Sequence, residues 1–189
     1  MTDAVVTALA VLGLMAQVLL GALLIALALR FVGVVGPWRF VRETLAGSEL
    51  WLAFAVALVA TGGSLYFSEI ADFVPCKLCW FQRIAMYPLV LLALPALRGD
   101  RHGAQYLLPL PVVGLGIAAW HMLVERGVVS DTESCQISAP GGCATKWIEE
   151  LGYITIPTLA ATAFALIAFV LALGAFRAPL ADSDQASAA

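Results

Sequence analysis

Four cysteines in two short polar stretches are the residues of this chain whose type and spacing suit chemistry. Cys76 and Cys79 form a C-x-x-C motif directly after Pro75, and Cys135 and Cys143 follow further along. Two cysteines with two residues between them can close a small redox-active ring, so the first pair predicts thiol–disulfide chemistry. A zinc site that uses all four cysteines, or a purely structural disulfide, is the alternative.

The first cysteine pair precedes an apolar run that begins near Trp80, which places Cys79 at or near a helix N-terminus. There the helix dipole and unpaired amide N–H groups lower the pKa of a thiol and favour the reactive thiolate. Arg83 follows one turn later on the same face. Arginine within a bilayer is costly, so this side chain either reaches the outer surface or faces Cys79 and donates to a quinone carbonyl.

Three further side chains are candidates for the same site. Gln82 and Trp80 border it and would orient a quinone ring, with plain helix packing as the alternative. His121, near the end of the fourth apolar run, would contact the quinone or a proton path, or be an ordinary packed histidine. We expect no resident metal at these positions.

The second cysteine pair flanks a turn signal. Pro140-Gly-Gly allows the chain to fold back and bring the sulfur atoms of Cys135 and Cys143 together. We expect the closed loop to be short, mobile and exposed. An exposed disulfide is more oxidising than a buried one, which suits a bond that a partner's thiolate breaks. The alternative is a purely structural disulfide that stabilises the loop.

Composition assigns these cysteines to a membrane protein. Hydrophobic residues make up 62% of the 189-residue chain and charged residues 12%, against about 45–50% and about 25% in soluble domains. The net charge of -3 and the lack of a basic patch speak against nucleic acid as a partner. The amino terminus lacks the basic region of a cleavable signal peptide, so we expect the first apolar stretch to be retained.

Five apolar stretches are long enough to span a bilayer, which needs about 20 residues. The fold class is therefore all-α: a polytopic membrane protein with a four-helix transmembrane bundle core and one extra N-terminal transmembrane helix. Pro88 and Pro95 fall within the third stretch, where neighbouring helices can satisfy the freed backbone groups. The predicted spans are roughly Ala4–Leu29, Leu50–Ser68, Trp80–Leu97, Ala104–Val124 and Ile154–Phe176.

Basic residues predict the orientation, because loops on the cytoplasmic side are enriched in Lys and Arg. Six basic residues fall on one side of the predicted spans and three on the other, which favours an external N-terminus and a cytoplasmic C-terminus. Both cysteine-bearing loops then lie outside the cytoplasm, where disulfides persist. The larger set is Arg30, Arg39, Arg42, Arg98, Arg101 and Arg177, and the smaller is Lys77, Arg126 and Lys146.

Two segments outside the spans carry expectations of their own. Residues 145–154 have apolar and charged positions at helical spacing and predict a short helix, either amphipathic along the outer interface or an ordinary surface helix, with Trp147 and Tyr153 as aromatic anchors. The tail at 178–189 predicts a disordered cytoplasmic segment. The domains are then 1–49, 50–177 with redox loops at 69–79 and 125–153, and the tail.

The string that runs from Pro75 to Pro88, PCKLCWFQRIAMYP, closely resembles the first redox loop and following helix of the DsbB/BdbC disulfide-bond-formation family. The segments Ile117–Glu125 and Ile154–Thr158 look similar too, and the resemblance covers roughly Leu50 to Phe176. It implies a four-helix core in a bacterial plasma membrane, a ubiquinone or menaquinone cofactor, and a DsbA-like thioredoxin-fold partner.

The resemblance also implies roles for individual residues. Cys76 and Cys79 would be the pair near the quinone, with Cys79 as the thiolate that meets it and Arg83 as the cationic helper. Cys135 would take the mixed disulfide with the partner, and Cys143 would then exchange with Cys76. The close spacing of the second pair resembles the BdbC branch of the family, and the first span has no counterpart in the four-helix core.

Two other functions stay open at the level of sequence. A quinone- or epoxide-reducing enzyme resembling vitamin K epoxide reductase also combines a helical bundle with a C-x-x-C motif and a loop pair, although there the C-x-x-C comes last. A non-catalytic membrane protein with stapled outer loops is the other. The favoured function is a quinone-dependent thiol oxidase that supports disulfide formation outside the cytoplasm.

Overall fold

The computed structural model describes residues 2–96, 102–131, 133, 135 and 141–176. Helices account for most of this length, and a short 3₁₀ turn at Gly142–Ala144 precedes the last of them. We number the seven α-helices discussed below in chain order: α1 Thr2–Phe31, α2 Gly36–Thr44, α3 Glu49–Glu69, α4 Lys77–Ala96, α5 Gly103–Leu107, α6 Pro109–Glu125 and α7 Ile156–Ala175.

Five helical segments are long and apolar enough to cross a membrane, which confirms the predicted all-α polytopic fold. Their bounds agree with the sequence prediction to within a few residues, and α4 continues through Pro88 without a break. The segments are Ala4–Phe31, Glu49–Glu69, Lys77–Leu94, Gly103–Glu125 and Ile156–Ala175. The fourth of these combines the short helix α5 with α6.

Helix α7 is the centre of the bundle, because it packs against α1, α3, α5 and α6. Three of its side chains, Phe164, Ile167 and Leu171, are completely buried. They meet alanines from α3 and α6, including Ala57 and Ala118. Small residues on the facing helices let the backbones approach closely, which is how helices associate where lipid offers no hydrophobic driving force.

The sequence analysis did not predict the helix that lies between the first two spans. The stretch between Arg30 and Glu49, which separates the first two predicted spans, contains α2, which has Pro37 in its first turn. Its Trp38 is buried edge-on against Phe169 of α7, with ring centroids 6.4 Å apart. The Arg30 guanidinium lies 5.5 Å from the centroid of the same tryptophan ring. The helix therefore caps one end of the bundle.

The helix predicted within residues 145–154 is wrong. The chain instead forms a tight turn in which the Glu150 N–H donates to the Ile154 carbonyl at 2.9 Å, and Ile154 donates back at 2.8 Å. Leu151 and Gly152 have positive φ angles, 53° and 75°, which end any helical run. Trp147 stacks on Phe73 with centroids 5.2 Å apart, so an aromatic contact fixes this segment.

Three further predictions from the sequence concern the tail, the orientation in the membrane and the division into domains. The tail at 178–189 lies outside the described residues. Arg30, Arg39 and Arg42 gather where α1 and α2 end, whereas Lys77, Arg126 and Lys146 belong to the opposite end of the bundle. Which of these ends faces the cytoplasm stays a prediction, as does the division of the chain into domains.

We predict that close packing of α6 on α7 depends on Gly114. A Cβ at this position would collide with the ring of Phe164, so Gly114→Leu should destabilise the protein by about 1–3 kcal/mol through overpacking. Gly116→Leu is the matched control, because nothing lies within 4 Å of a Cβ there. The midpoint of thermal unfolding in detergent measures both. Equal midpoints for the two variants would contradict this account of the packing.

Candidate functional site

All four cysteines lie at one end of the bundle, which we call the cysteine end. Cys76 directly precedes α4 and Cys79 lies in its first turn, while Cys143 belongs to the 3₁₀ turn that packs on α6. The connections that carry the two pairs join α3 to α4 and α6 to α7, and both connections are at this end. Cys76, Cys135 and Cys143 pack in one buried cluster with Val124.

Cys135 and Cys143 form a disulfide, as the turn signal between them predicted. The expectation that this bond is exposed is wrong, because Cys135 is 4% exposed and Cys143 only 1%. Gly141 and Gly142 adopt positive φ angles of 81° and 72°, which turn the chain inward beneath α6. Both sulfurs therefore lie in the buried cluster with Val124, and residues 136–140 between the two cysteines lie outside the described residues.

Asp131 supports this disulfide and was missed by the sequence analysis. Its Oδ2 accepts the backbone N–H of Cys143 at 2.9 Å. The other oxygen, Oδ1, is buried and has no hydrogen-bond partner among the residues that the structure describes. A lone aspartate in a polar loop carries no sequence signal for such a contact, since the contact depends on the turn at the two glycines.

The sulfur atoms of Cys76 and Cys79 are not bonded and lie 3.0 Å apart. Cys79 is in the first turn of α4 as predicted. The sulfur that faces the backbone N–H groups at the start of this helix, however, is that of Cys76. The backbone N–H of Cys79 points at Cys76 Sγ at 3.4 Å. Cys76 therefore caps the helix, and its thiolate gains the stabilisation that the sequence analysis gave to Cys79.

The surroundings of Cys76 lower the pKa of its thiol. The main cause is the hydrogen bond from the Cys79 side chain, and the nearby His121 ring lowers the pKa further, while burial works in the opposite direction. Since these favourable contacts outweigh burial, Cys76 is the thiolate of the pair at neutral pH in this arrangement. The thiolate is the form that attacks a disulfide.

His121 lies between the two cysteine pairs. Its Nε2 is 3.7 Å from Cys76 Sγ and 3.0 Å from the carbonyl oxygen of Cys143. Gln82 places its Nε2 3.0 Å from Nδ1 of the same ring. The Gln82 amide nitrogen can only donate, so Nδ1 of His121 accepts this hydrogen bond. The ring is therefore in the tautomer that carries its proton on Nε2, and Nε2–H donates to the Cys143 carbonyl.

Arg83 does not hydrogen-bond to Cys79. Its Nε donates to Ser64 Oγ at 3.0 Å, and its Nη2 donates to the Ser64 carbonyl at 2.9 Å. The guanidinium also lies over the Trp80 ring, 5.2 Å from its centroid. Tyr87 donates to the same Ser64 hydroxyl at 3.3 Å. Ser64, which the sequence analysis missed, thus fixes α3 to α4 beside the C-x-x-C motif.

A cavity of about 350 Å³ opens beside Cys79. That volume lies within the usual range of small-molecule sites, roughly 300–1,000 Å³. Its walls come from α1, α3, α4 and α7 and are predominantly apolar. Ser64, Cys79, Gln82 and Arg83 are among the polar residues that line it.

The candidate site residues lie in three different surroundings. Cys79, Gln82 and Arg83 line the cavity. Trp80 is half exposed and packs on Arg83, and His121 is buried beside the cysteine cluster. Among the described residues, Cys76, Cys79 and His121 also place their ligand atoms within 4.8 Å of one another, a spacing that could hold a metal ion. A four-cysteine zinc site does not form here, because two of the sulfurs are bonded together.

A second and smaller cavity, of about 190 Å³, lies on the other side of α4. It is lined by Cys135 together with Lys77, Leu78, Phe81 and Trp120, among others. Cys143 is not part of its lining. The two sulfurs of the disulfide therefore differ in what they face, and only Cys135 borders this cavity.

The comparisons with known proteins agree with this arrangement. Residues 48–174 match the family described as "Disulfide bond formation protein DsbB". A probable disulfide formation protein of Deinococcus radiodurans is 46% identical over 132 residues, 66% of this chain and 86% of that protein. Disulfide bond formation protein C of Bacillus subtilis is 44% identical over 126 residues, 66% of this chain and 90% of that protein. No solved structure matches.

We predict that Cys76 of the reduced pair is a thiolate at neutral pH because Cys79 donates to it. Replacing Cys79 with Ala should raise the pKa of Cys76 towards the usual thiol value of about 8.5, and Cys79→Ser should raise it less, since a hydroxyl can still donate. The thiolate ultraviolet absorbance against pH measures this when Cys135 and Cys143 are both replaced by Ala. The same pKa in the two variants would contradict it.

Proposed function

Because the chain belongs to the disulfide bond formation protein DsbB family, we propose that it is a membrane thiol oxidase that takes electrons from a partner protein and gives them to a quinone. The observation that carries this proposal is the placement of the cysteines. One pair borders an apolar cavity through Cys79, the other borders a separate cavity through Cys135, and both pairs meet at one buried histidine.

The cavity beside Cys79 fits a quinone by its chemistry. Its apolar walls suit a lipid-soluble ring and tail, and Arg83, Ser64 and Tyr87 form one hydrogen-bonded polar group in its lining. The two hydrogen bonds to Ser64 use two of the five N–H donors of the Arg83 guanidinium. In this proposal another N–H donor of Arg83 would hold a quinone carbonyl, and the Gln82 side chain would border the ring. A bound quinone would accept two electrons and two protons.

Electrons enter through the second pair. A thiolate of the partner attacks Cys135, the Cys135–Cys143 bond breaks, and a mixed disulfide forms while Cys143 leaves as a thiolate. The lining of the smaller cavity supports Cys135 as the attacked sulfur. The second thiol of the partner then displaces Cys135. The partner leaves with a disulfide, and two electrons remain on Cys135 and Cys143.

The internal exchange moves those electrons to the first pair. Cys143 attacks Cys76 of the oxidised C-x-x-C motif, Cys79 leaves, and Cys135 then attacks Cys143 and releases Cys76. The Cys135–Cys143 disulfide is restored and the C-x-x-C pair is reduced, which is the arrangement of bonds described above. The Nε2–H of His121, 3.7 Å from Cys76 Sγ, is placed to stabilise the negative charge on this sulfur when it leaves as a thiolate.

The partner in this proposal is a thioredoxin-fold protein of the DsbA type, and the cysteine end faces outward from a bacterial plasma membrane. The sequence assigns three basic residues to the loops at the cysteine end and six to the loops on the other side, which supports this orientation. The phenyl and indole groups of Phe81 and Trp120 beside Cys135 offer an apolar rim on which a partner can dock.

We predict that Cys79→Ser abolishes quinone reduction while the fold persists. The sulfur that borders the cavity is lost, but the hydroxyl is nearly the same size. Quinol formation with a reduced partner protein as donor measures the activity, and thermal unfolding in detergent checks the fold. Undiminished turnover by this variant would refute the proposed route.

A redox titration of the wild-type protein distinguishes this function from a purely structural role of the Cys135–Cys143 disulfide. Trapping of free thiols after equilibration at graded redox potentials should find the Cys135–Cys143 bond open under mild reductants, because it must accept electrons from a protein thiol. A bond that stays closed until strong reductants are used would favour the staple.

We predict that Arg83→Ala raises the apparent quinone KM by roughly 10-fold or more, the effect of losing about 1.4 kcal/mol of binding. Arg83→Lys should keep part of the charge effect but lose the bonds to Ser64 and give an intermediate value. Arg126→Ala is the matched control, because Arg126 is exposed at the same end of the bundle. Quinone titrations at saturating thiol donor give the three values, and an Arg83→Ala KM equal to that of the control would remove this role.

A further inference from the structure

Helix α1 lies outside residues 48–174, the part of the chain that matches the family, yet it forms one wall of the cavity beside Cys79. The lining residues of α1 are Leu9, Leu12, Gly13 and Ala16. Their spacing of three, four and seven residues places them on one helical face. We propose that α1 determines which quinone tails the cavity accepts, an inference that rests on the proposed quinone oxidase function.

The contacts of α1 show that it is docked against the bundle at a defined position. A Cβ added at Gly13 would collide with Leu159 of α7, so the two helices approach closely there. Leu9 packs over Gly63 of α3, where an added Cβ would lie 3.2 Å from Leu9 Cδ1. The helix therefore reaches both α3 and α7 across the cavity.

A polar tether fixes the rotation of α1 about its axis. Gln17 donates from Nε2 to Thr162 Oγ1 of α7 at 3.3 Å, and its Oε1 accepts the Tyr153 hydroxyl at 2.8 Å. Glutamine and threonine hydrogen bonds hold helices together within apolar surroundings. Gly13, one turn before Gln17, faces α7 together with it, and Ala16 lies beside them in the lining of the cavity.

The position of Ala16 assigns it to the tail of the quinone and not to the ring. Val6 of α1 clusters with Ile148 near the cysteine end, so α1 runs away from that end as its numbering rises. Ala16 and Val56 of α3 both pack against the buried cluster of Leu23, Leu166 and Val170. Val56 lies eight residues before Ser64, the partner of Arg83, which is about 12 Å along a helix. The ring beside Arg83 and a tail beside Ala16 would therefore occupy opposite ends of the cavity.

The size of residue 16 should then set the tail preference. Ala16→Phe places a ring where the tail would pass, while the surroundings of Arg83 and Cys79 are unchanged. We expect the ratio of the KM for a long isoprenoid quinone to the KM for a tail-less quinone to rise roughly 10-fold, equivalent to about 1.4 kcal/mol. Val18→Phe is the matched control, because Val18 is 67% exposed and does not line the cavity. That control should leave the ratio as in the wild type.

A second measurement uses the unaltered protein and does not depend on how the variant folds. A quinone with a photoreactive group on its tail is bound and irradiated, and the labelled peptides are identified by mass spectrometry after trypsin digestion. Cleavage at Arg30 releases the peptide that contains the cavity face of α1. Label in this peptide supports the proposal.

The outcomes keep the two proposals apart. Quinone reduction with an unchanged KM ratio in Ala16→Phe, or with label only in peptides of α3, α4 and α7, would overturn the role of α1 and leave the oxidase function standing. Absence of both quinone reduction and specific label in the wild type would overturn the oxidase function, and the role of α1 with it.

Discussion

The contacts of His121 join the two halves of the cysteine chemistry. One ring, 3% exposed, meets the sulfur of Cys76 at 3.7 Å and the backbone of Cys143 at 3.0 Å. Thiol–disulfide exchange requires sulfur atoms to meet directly, so two loops from different connections of the bundle must be held together. A buried imidazole with both nitrogens engaged supplies that constraint, and Gln82 orients it from α4.

The central position of α7 explains how the loops come to share that histidine. Helices α3 and α6 both pack on α7, and their ends carry the chain into the C-x-x-C motif and into the disulfide loop. Hydrophobic packing around Phe164 and Ile167 thus determines where the polar chemistry takes place. In an apolar solvent this packing relies on close contact and on a few hydrogen bonds such as that between Arg83 and Ser64.

Sequence patterns predicted the parts of this protein that depend on composition and on local spacing. The five spans followed from apolar length, and the pairing of Cys135 with Cys143 followed from the turn between them. Contacts between distant segments left no such pattern. Ser64 is an ordinary small residue of a span until Arg83 meets it, and Cys76 caps α4 only because the backbone turns at that point. Trp147 likewise pairs with Phe73 by tertiary packing, which overrode the helical spacing of its neighbours.

The burial of the Cys135–Cys143 disulfide has a consequence for selectivity among reductants. A bond whose sulfurs are 4% and 1% exposed is shielded from random collision with freely diffusing small thiols. A macromolecule that binds first can contribute docking energy to uncovering the bond, whereas glutathione-sized molecules bring little surface with which to do so. Under the proposed oxidase function, the burial of both sulfurs is a kinetic insulation: it limits the loss of oxidising equivalents to small thiols and reserves them for a protein that docks first.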